Sequence, residues 1–255
     1  MPVIFVKVNH VNENGGTMRI FSDPVEAIKE IERDLYEMGT RYQSATVQDQ
    51  DVSENPEYQT IELCGYAYMI TDFTERRLKE MVLYTEYVPW EWVEEEIRER
   101  LFGTPPGFDL NPGKAWGKNE KLWGRFIRNG VFSYSYAERW QEQLPYVIRE
   151  LKHFPNTRQA IITMYDRHQD MLNWGGFDRV PCSLTYQFLL REDKLVLIYN
   201  QRSCDFVKFF GADVYFGVQL LKYIAGILNK EPGQFIHFLG SIHAFAGDLK
   251  GKEIF

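Results

Sequence analysis

Two apolar runs, SLTYQFLL at 183–190 and KLVLIYNQR at 194–202, are separated only by Arg191, Glu192 and Asp193. Runs of this length, rich in β-branched and aromatic residues and joined by a short polar turn, are typical of a β-hairpin. Strands this apolar must bury at least one face. The hairpin therefore predicts a sheet that other elements of the chain cover.

Other segments supply those elements. The pattern predicts a helix that is capped by Asp23, starts at Pro24 and ends at Gly39. Residues 74–101 are helical in pattern with a break at Pro89, and helices are also expected at 137–153 and 213–229. Further strands are predicted at 3–8, 60–70, 159–165 and 234–245. Helices and strands mix without strict alternation, which predicts an α/β (α+β) fold with one sheet.

Two segments contain few core residues. Residues 42–59 are polar and predict a mobile surface loop, and residues 103–119 carry many Pro and Gly residues. The second segment is interpreted as a loop or insertion, and long loops of this kind are often functional.

Composition limits the function classes. The 255 residues carry 29 basic and 36 acidic side chains, for a net charge of -7, which argues against an electrostatic grip on nucleic acid. Apolar runs fall short of the roughly 20 residues of a membrane span, and the first residues lack the pattern of a signal peptide. Three cysteines do not make a disulfide framework. We expect a soluble, cytoplasmic, globular protein.

Cys182 lies in the segment RVPCS at the entrance to the hairpin. A nucleophilic cysteine requires positive charge near its thiolate, and Arg179 or Arg202 could supply it. Since a cysteine is also a common small buried residue, Cys64 and Cys204 stay equally eligible on this reasoning, and a structural role stays open for each. The cysteine spacings do not suit a metal site, so we expect no structural zinc.

The segment QRSCD at 201–205 ends the second hairpin strand. Arg202 beside the Ser203 hydroxyl suits a phosphate monoester, because both groups donate hydrogen bonds to its oxygens. A structural ion pair between Arg202 and Asp205 is the alternative. His243 could bind a sugar hydroxyl or simply pack within its strand.

Glu91 stands between Trp90 and Trp92, whereas Glu94, Glu95 and Glu96 are typical of a solvated helix face. Aromatic neighbours would desolvate Glu91 and raise its pKa, which suits proton transfer.

Together these segments resemble the thymidylate synthase superfamily, and within it the phage deoxycytidylate hydroxymethylases. The resemblance runs from Cys182 to His243 and rests on Pro181-Cys182 before a strand, on QRSxD at 201–205, and on Gly240-x-x-His243. Weaker similarity extends upstream to residues 156–158, 136–140 and 86–91.

The resemblance implies one large mixed sheet flanked by helices, in a single domain over 1–255, and a homodimer whose sheets pack face to face. It implies transfer of a one-carbon unit to carbon 5 of a pyrimidine nucleotide, with 5,10-methylenetetrahydrofolate as co-substrate and no metal. The implied roles are nucleophile for Cys182; proton shuttle for Glu91, with Glu86 as the alternative; nucleotide binding for Tyr136, Gln201, Arg202, Ser203, His243 and a partner subunit's Arg158; and folate binding for Asp205 and Trp123.

Asp213 carries the substrate prediction. The family's synthases have asparagine eight residues after the QRSxD aspartate, where its amide pairs with uracil, and this chain has Asp213. A carboxyl group can accept from the exocyclic amine of cytosine and share a proton with ring N3. The resemblance therefore implies recognition of cytosine, unless Asp213 merely caps the helix that it precedes.

Four departures from the family's pattern accompany the resemblance. Phe209 replaces a glycine, so its loop must run differently or be filled, and Phe245 replaces a tyrosine that contacts the sugar. Gln159 replaces the second of two paired arginines. The sequence stops at Phe255, where synthases continue and cover the folate site.

Three hypotheses follow. The first is a cytidylate 5-hydroxymethyltransferase of phage type, which makes precursors for modified DNA. The second is a methyltransferase of the same fold that makes dTMP or 5-methyl-dCMP. The third is a nucleotide-binding relative without turnover.

Overall fold

The structure of the chain, a computed structural model, describes residues 18–47, 50–102, 124–127, 129, 134–172 and 180–249. The predicted strand at 3–8, the predicted insertion at 103–119, Trp123 and Arg179 lie outside these ranges. Within them, every helix is too short or too polar to cross a membrane.

Five α-helices lie in the described ranges. They are α1 (Pro24–Met38), α2 (Glu75–Val82), α3 (Trp90–Phe102), α4 (Tyr136–His153) and α5 (Phe210–Leu228). The Asp23 carboxylate accepts from the N–H groups of Val25 and Glu26, which confirms the predicted cap of α1. The predicted break at Pro89 is also confirmed, because α3 begins at the residue that follows it.

The strands of the described ranges form one large sheet and a small hairpin. They are β1 (Arg19–Phe21), β2 (Thr40–Gln43), β3 (Thr46–Val47), β4 (Gln50–Asp51), β5 (Gln59–Ile70), β6 (Ile161–Thr163), β7 (Ser183–Arg191), β8 (Lys194–Gln201), β9 (Cys204–Asp205) and β10 (Glu231–Phe245). The main order is β1-β5-β10-β8-β7-β6. In addition, β2 pairs with β5, and β9 pairs with β10. Parallel and antiparallel pairs occur together. The predicted mixed α/β sheet and the β7–β8 hairpin are confirmed.

The prediction of a surface loop at 42–59 is wrong for much of that segment. Strand β2 pairs antiparallel with β5, and β3 pairs with β4 in a two-stranded hairpin. All four residues of β2 are exposed, which explains the error. An edge strand takes its stability from backbone pairing, so its side chains do not show an apolar pattern.

The two faces of the sheet differ in cover. Along β7, β8 and β10, buried residues alternate with half-exposed ones, as the period of two in a strand requires. The helices cover the buried face. The opposite face carries apolar side chains that remain partly exposed, among them Met69, Val196, Ile198, Ile236 and Phe238.

Candidate active site

Cys182 is held by its main chain, just before β7. Its N–H donates to the Tyr136 hydroxyl oxygen at 3.1 Å, and that oxygen also accepts from the N–H of Ser183 at 3.5 Å. The Cys182 carbonyl accepts from the N–H of Arg202 at 2.8 Å. Helix α4 and the end of β8 thus fix the half-buried Cys182 through backbone hydrogen bonds that do not involve its sulfur.

The Arg202 guanidinium reaches the two residues that precede Cys182. Its Nε donates to the carbonyl of Pro181 at 2.8 Å and its terminal nitrogen to that of Val180 at 2.9 Å. Gly240 permits this turn, because a β-carbon there would lie 2.7 Å from the Arg202 carbonyl oxygen. Arg202 is exposed, and the adjacent Ser203 is half-buried, so both are accessible to a ligand.

The other two cysteines have environments that suppress thiolate formation. Burial raises the pKa of the Cys204 thiol well above its ordinary value, and Asp213 and Asp205 raise it further. Desolvation and the Glu62 carboxylate also raise the pKa of Cys64. Among the described cysteines, Cys182 is therefore the better candidate for a nucleophile.

Asp213 lies in the first turn of α5 and faces the sheet. Its Oδ2 accepts from Gln201 Nε2 at 2.7 Å and lies 3.8 Å from the Cys204 sulfur. Burial raises the pKa of Asp213 to about 6, although the Gln201 hydrogen bond and the charge of Arg100 act to lower it. The cap residue of α5 is Phe209, without a side-chain cap bond. These contacts favour a site residue over the alternative of a helix cap.

The expected desolvation of Glu91 is absent. Consecutive helical residues point about 100° apart, so Trp90 packs on Tyr215 and Trp92 on Phe216 while Glu91 stays exposed.

The prediction that Glu96 lies on a solvated face is wrong. It is 3% exposed and forms an ion pair of 2.6 Å with the buried Arg100. The Arg100 guanidinium lies 4.4 Å from the ring centroid of Tyr136 and 4.1 Å from that of Phe216. Both charges of this pair act on the Asp213 carboxyl group. The structure thus buries Glu96, rather than Glu91, where its charge acts on Asp213.

Asp205 and His243 lie opposite each other where β9 pairs with β10. Asp205 accepts from the Lys208 ammonium at 3.1 Å, which replaces the ion pair with Arg202 that was the sequence alternative. Lys208 also pairs with Asp248. Burial lowers the pKa of His243, although Asp205 and Glu62 act to raise it, so the ring favours the neutral form.

The half-buried Phe209 packs against the hydrophobic core, which favours a filled loop over a loop that runs differently. Arg158 and Gln159 are exposed at the β6 edge, and the Arg158 carbonyl accepts from Gln187. Arg158 is thus on the surface of its own chain, and the structure does not bring it to the cluster. Glu86 is also on the surface, in a left-handed backbone conformation.

The structure therefore brings together Tyr136, Cys182, Gln201, Arg202 and Asp213, with Ser203, Asp205 and His243 on the adjoining turn and strand. Sequence reasoning missed three residues of the cluster. Glu96 and Arg100 carried a signal, the i,i+4 spacing of an ion pair. His237 also carried one, as a polar residue at a core-facing position of an apolar strand. In the described ranges, groups of three or more acidic, His or Cys residues do not come together as a metal site.

Comparisons with known proteins give one consistent result. A sequence profile described as thymidylate synthase matches residues 62–252. A thymidylate synthase of Aster yellows witches'-broom phytoplasma is 30% identical over 167 residues, which are 62% of this chain and 48% of that protein. A putative thymidylate synthase of Methanosarcina acetivorans is 32% identical over 123 residues, 46% of this chain and 55% of that protein.

A phage protein is also similar. The deoxyuridylate hydroxymethyltransferase of Bacillus phage SP01 is 31% identical over 138 residues, 54% of this chain and 34% of that protein. The chain spans about half the length of the curated relatives that it matches first.

Proposed function

The chain belongs to the thymidylate synthase family, and from that premise we propose that it transfers a one-carbon unit to carbon 5 of a pyrimidine nucleotide. The substrate that we propose is (deoxy)cytidylate, and the product is the 5-hydroxymethyl nucleotide. Relatives named for both outcomes, thymidylate synthases and a deoxyuridylate hydroxymethyltransferase, support the class of reaction.

One observation carries the choice of cytosine: Asp213 is half-buried, and desolvation of its carboxyl group raises its pKa to about 6. A carboxyl group with a raised pKa can share a proton with ring N3 of cytosine and accept from its 4-amino group. An ionised carboxylate would repel the O4 lone pairs of uracil. Buried polar groups that mismatch a ligand discriminate strongly against it.

The proposed chemistry starts at Cys182. Addition of its thiolate to carbon 6 of the base makes carbon 5 nucleophilic, because the ring then behaves as an enamine. After the one-carbon unit has bonded to carbon 5, loss of the carbon 5 proton expels tetrahydrofolate and leaves an exocyclic methylene on a ring that is still bonded to the sulfur. Water then adds to this methylene, and elimination of the thiolate from carbon 6 restores the aromatic ring and gives the hydroxymethyl product. Arg202 and Ser203 would bind the 5′-phosphate, with His243 near the sugar.

The residues present fit a folate co-substrate, which supplies the one-carbon unit when bound. The Asp205 carboxylate accepts two bonds from Lys208, from its N–H at 3.0 Å and its ammonium at 3.1 Å. A carboxylate has about four lone-pair sites, so Asp205 retains acceptor capacity for the N–H groups of a folate ring.

The experiment that tests this proposal is mass spectrometry of the product from dCMP, CMP and dUMP, each with methylenetetrahydrofolate. We expect a 5-hydroxymethyl cytosine nucleotide. A product one oxygen lighter, with formation of dihydrofolate, would identify the methyltransferase alternative. Product from dUMP alone would refute cytosine as the base. Nucleotide binding without any product would identify the relative without turnover.

We propose Glu96, in place of Glu91, as the acid–base residue, because Glu96 is buried and its charge acts on the Asp213 carboxyl group. The Glu96→Gln variant should lower kcat by about 10²- to 10⁴-fold, since the amide keeps a hydrogen-bond acceptor for Arg100 but cannot transfer a proton. The matched Glu91→Gln variant, at an exposed site on the same helix, should retain activity. Steady-state kinetics of both variants, with urea unfolding to verify folding, checks this. The opposite pattern would restore the assignment to Glu91.

We also propose a homodimer in which the half-exposed faces of two sheets pack together. The apolar side chains on that face include Phe238, at 44% exposed, which is costly to leave in water. A dimer would bring the exposed Arg158 of one subunit toward the other subunit. Sedimentation velocity should give the mass of two chains, and a monomer at micromolar concentration would contradict this proposal.

A further inference from the structure

Four polar aromatic residues form a row across the buried face of the sheet. Tyr186 pairs with Tyr199, Tyr199 with His237 and His237 with Tyr68, on the neighbouring strands β7, β8, β10 and β5. The His237 ring, 0% exposed, stacks on Tyr199 with centroids 4.3 Å apart and planes 10° apart. Tyr186 stacks on the other face of Tyr199 at 4.4 Å. The plane of the His237 ring is therefore fixed by packing.

The hydrogen bonds of His237 assign its proton. Burial lowers the pKa of His237 to about 3, so the ring is neutral and has one donor and one acceptor nitrogen. Its Nε2 lies 3.0 Å from Gln201 Oε1, and its Nδ1 lies 2.8 Å from the Tyr68 hydroxyl. An amide oxygen can only accept, so Nε2 carries the proton and Nδ1 accepts from Tyr68.

The direction of these bonds continues to Asp213. Because Gln201 Oε1 is engaged with His237, its amide NH₂ faces Asp213 Oδ2 and donates at 2.7 Å. The chain runs from the Tyr68 hydroxyl to His237, to Gln201 and to Asp213, and each group donates to the next. Gln201 is 2% exposed, so water cannot easily replace either partner.

We propose that His237 is a positioning residue that, through Gln201, keeps Asp213 Oδ2 as a hydrogen-bond acceptor, so that a proton on this carboxyl group resides on Oδ1. The titratable and charged groups around Asp213 are Arg100 and Glu96 from α3, Cys204 from β9, and Tyr68 and Tyr199 from the sheet. Gln201, which donates to Asp213, is neutral, and its bonding direction depends on His237.

A proton fixed on one oxygen would make Asp213 selective for one base. This consequence rests on the proposed function. Cytosine presents an acceptor at N3 and a donor at position 4, whereas uracil presents the reverse order. A carboxyl group whose proton could move to either oxygen would match both bases. With the proton confined to Oδ1 and with Oδ1 facing N3, Asp213 matches cytosine alone.

Two variants of His237 test the proposal. His237→Gln keeps a donor near the position of Nε2, and His237→Phe keeps a flat ring for the stack but removes the donor. We expect the Phe variant to raise the pKa of Asp213 by about one unit, because the freed amide can rotate and accept from the protonated carboxyl group. It should also reduce the preference for dCMP over dUMP in calorimetric binding by about tenfold or more. The Gln variant should stay near the unaltered protein in both measurements.

Carbon-13 NMR of the Asp213 carboxyl group in the nucleotide-free protein gives the pKa. A purely structural role for His237 would lower the free energy of unfolding of both variants and leave the pKa of Asp213 unchanged, which would overturn the proposal. Nitrogen-15 NMR of His237 in the unaltered protein provides a test that needs no substitution. Nε2 should show the shift of a protonated nitrogen and Nδ1 that of an unprotonated one, and the reverse would also overturn the proposal.

These NMR measurements are independent of turnover. Absence of a cytosine product together with the expected NMR result would refute the proposed function and leave the assigned proton position intact. A cytosine product together with the reversed tautomer would refute the role of His237 and leave the function intact.

Discussion

Replacement of Cys182 by serine is expected to abolish turnover, with a loss in kcat of about 10⁴-fold or more. A serine hydroxyl at neutral pH is a much weaker nucleophile than a thiolate, and addition to carbon 6 precedes every later step. Nucleotide binding should persist, because Arg202 and Asp213 do not depend on the sulfur. Product formation from dCMP measures the first effect, and calorimetry with dCMP measures the second.

Cys204→Ser is the matched control, since its buried thiol has a raised pKa and lies in the same region. This variant should retain a large part of the activity, with some loss through its contact with Asp213. Full activity in Cys182→Ser would show that the nucleophile has been assigned wrongly. Loss of nucleotide binding in that variant would show instead that the substitution disturbs the site as a whole.

Asp213→Asn is expected to shift the preference toward uracil, with a change of about 10³-fold in the ratio of kcat/KM for dCMP to that for dUMP. The asparagine amide donates to O4 and accepts from N3–H when Gln201 turns its own amide to accept from it, whereas the carboxyl group of Asp213 is held by Gln201 as a partner for cytosine. Competition between the two nucleotides in one reaction gives the ratio directly. An unchanged ratio would place base selection in other residues.

The Asp213→Asn variant also tests the pH dependence of the activity. The pKa of Asp213 is raised to about 6, so the carboxyl group is protonated below that pH and ionised above it. Activity that needs this proton should therefore fall as pH rises through about 6 in the unaltered protein. In kcat/KM for dCMP this fall reports the free enzyme. It should disappear in Asp213→Asn, because an amide does not titrate there, and a fall that persists would assign the titration to another group.

Much of the fold could be predicted from the sequence because its elements carry strong local signals. The β7–β8 hairpin has apolar runs around a short turn, and α1 has an aspartate cap followed by proline. Strand β2 had no such signal, because its exposed residues show no apolar pattern and it forms by pairing with β5. Its existence depends on a partner that is remote in sequence.

The site was predictable where a residue is marked by its neighbours in sequence, as Cys182 and Arg202 are. Glu91 and Glu96 show the limit of predicting site residues from the sequence. Both belong to one acidic stretch, and only the rotation of α3 against its neighbours decides which of them is buried. His237 shows another limit, since its role follows from Gln201 and Tyr68, which contact it from two other strands.

The Tyr136 hydroxyl oxygen accepts hydrogen bonds from the main-chain N–H groups of Cys182 and Ser183. This anchor has a practical consequence for crystallising complexes with an unreacted nucleotide. Since main-chain hydrogen bonds to Tyr136 and Arg202 anchor this segment, chemically inert replacements at Cys182 should keep the same backbone path. Crystals of such inactive forms, soaked with nucleotide, should therefore display the ground-state pose of the unreacted ligand rather than an artefact of a collapsed loop.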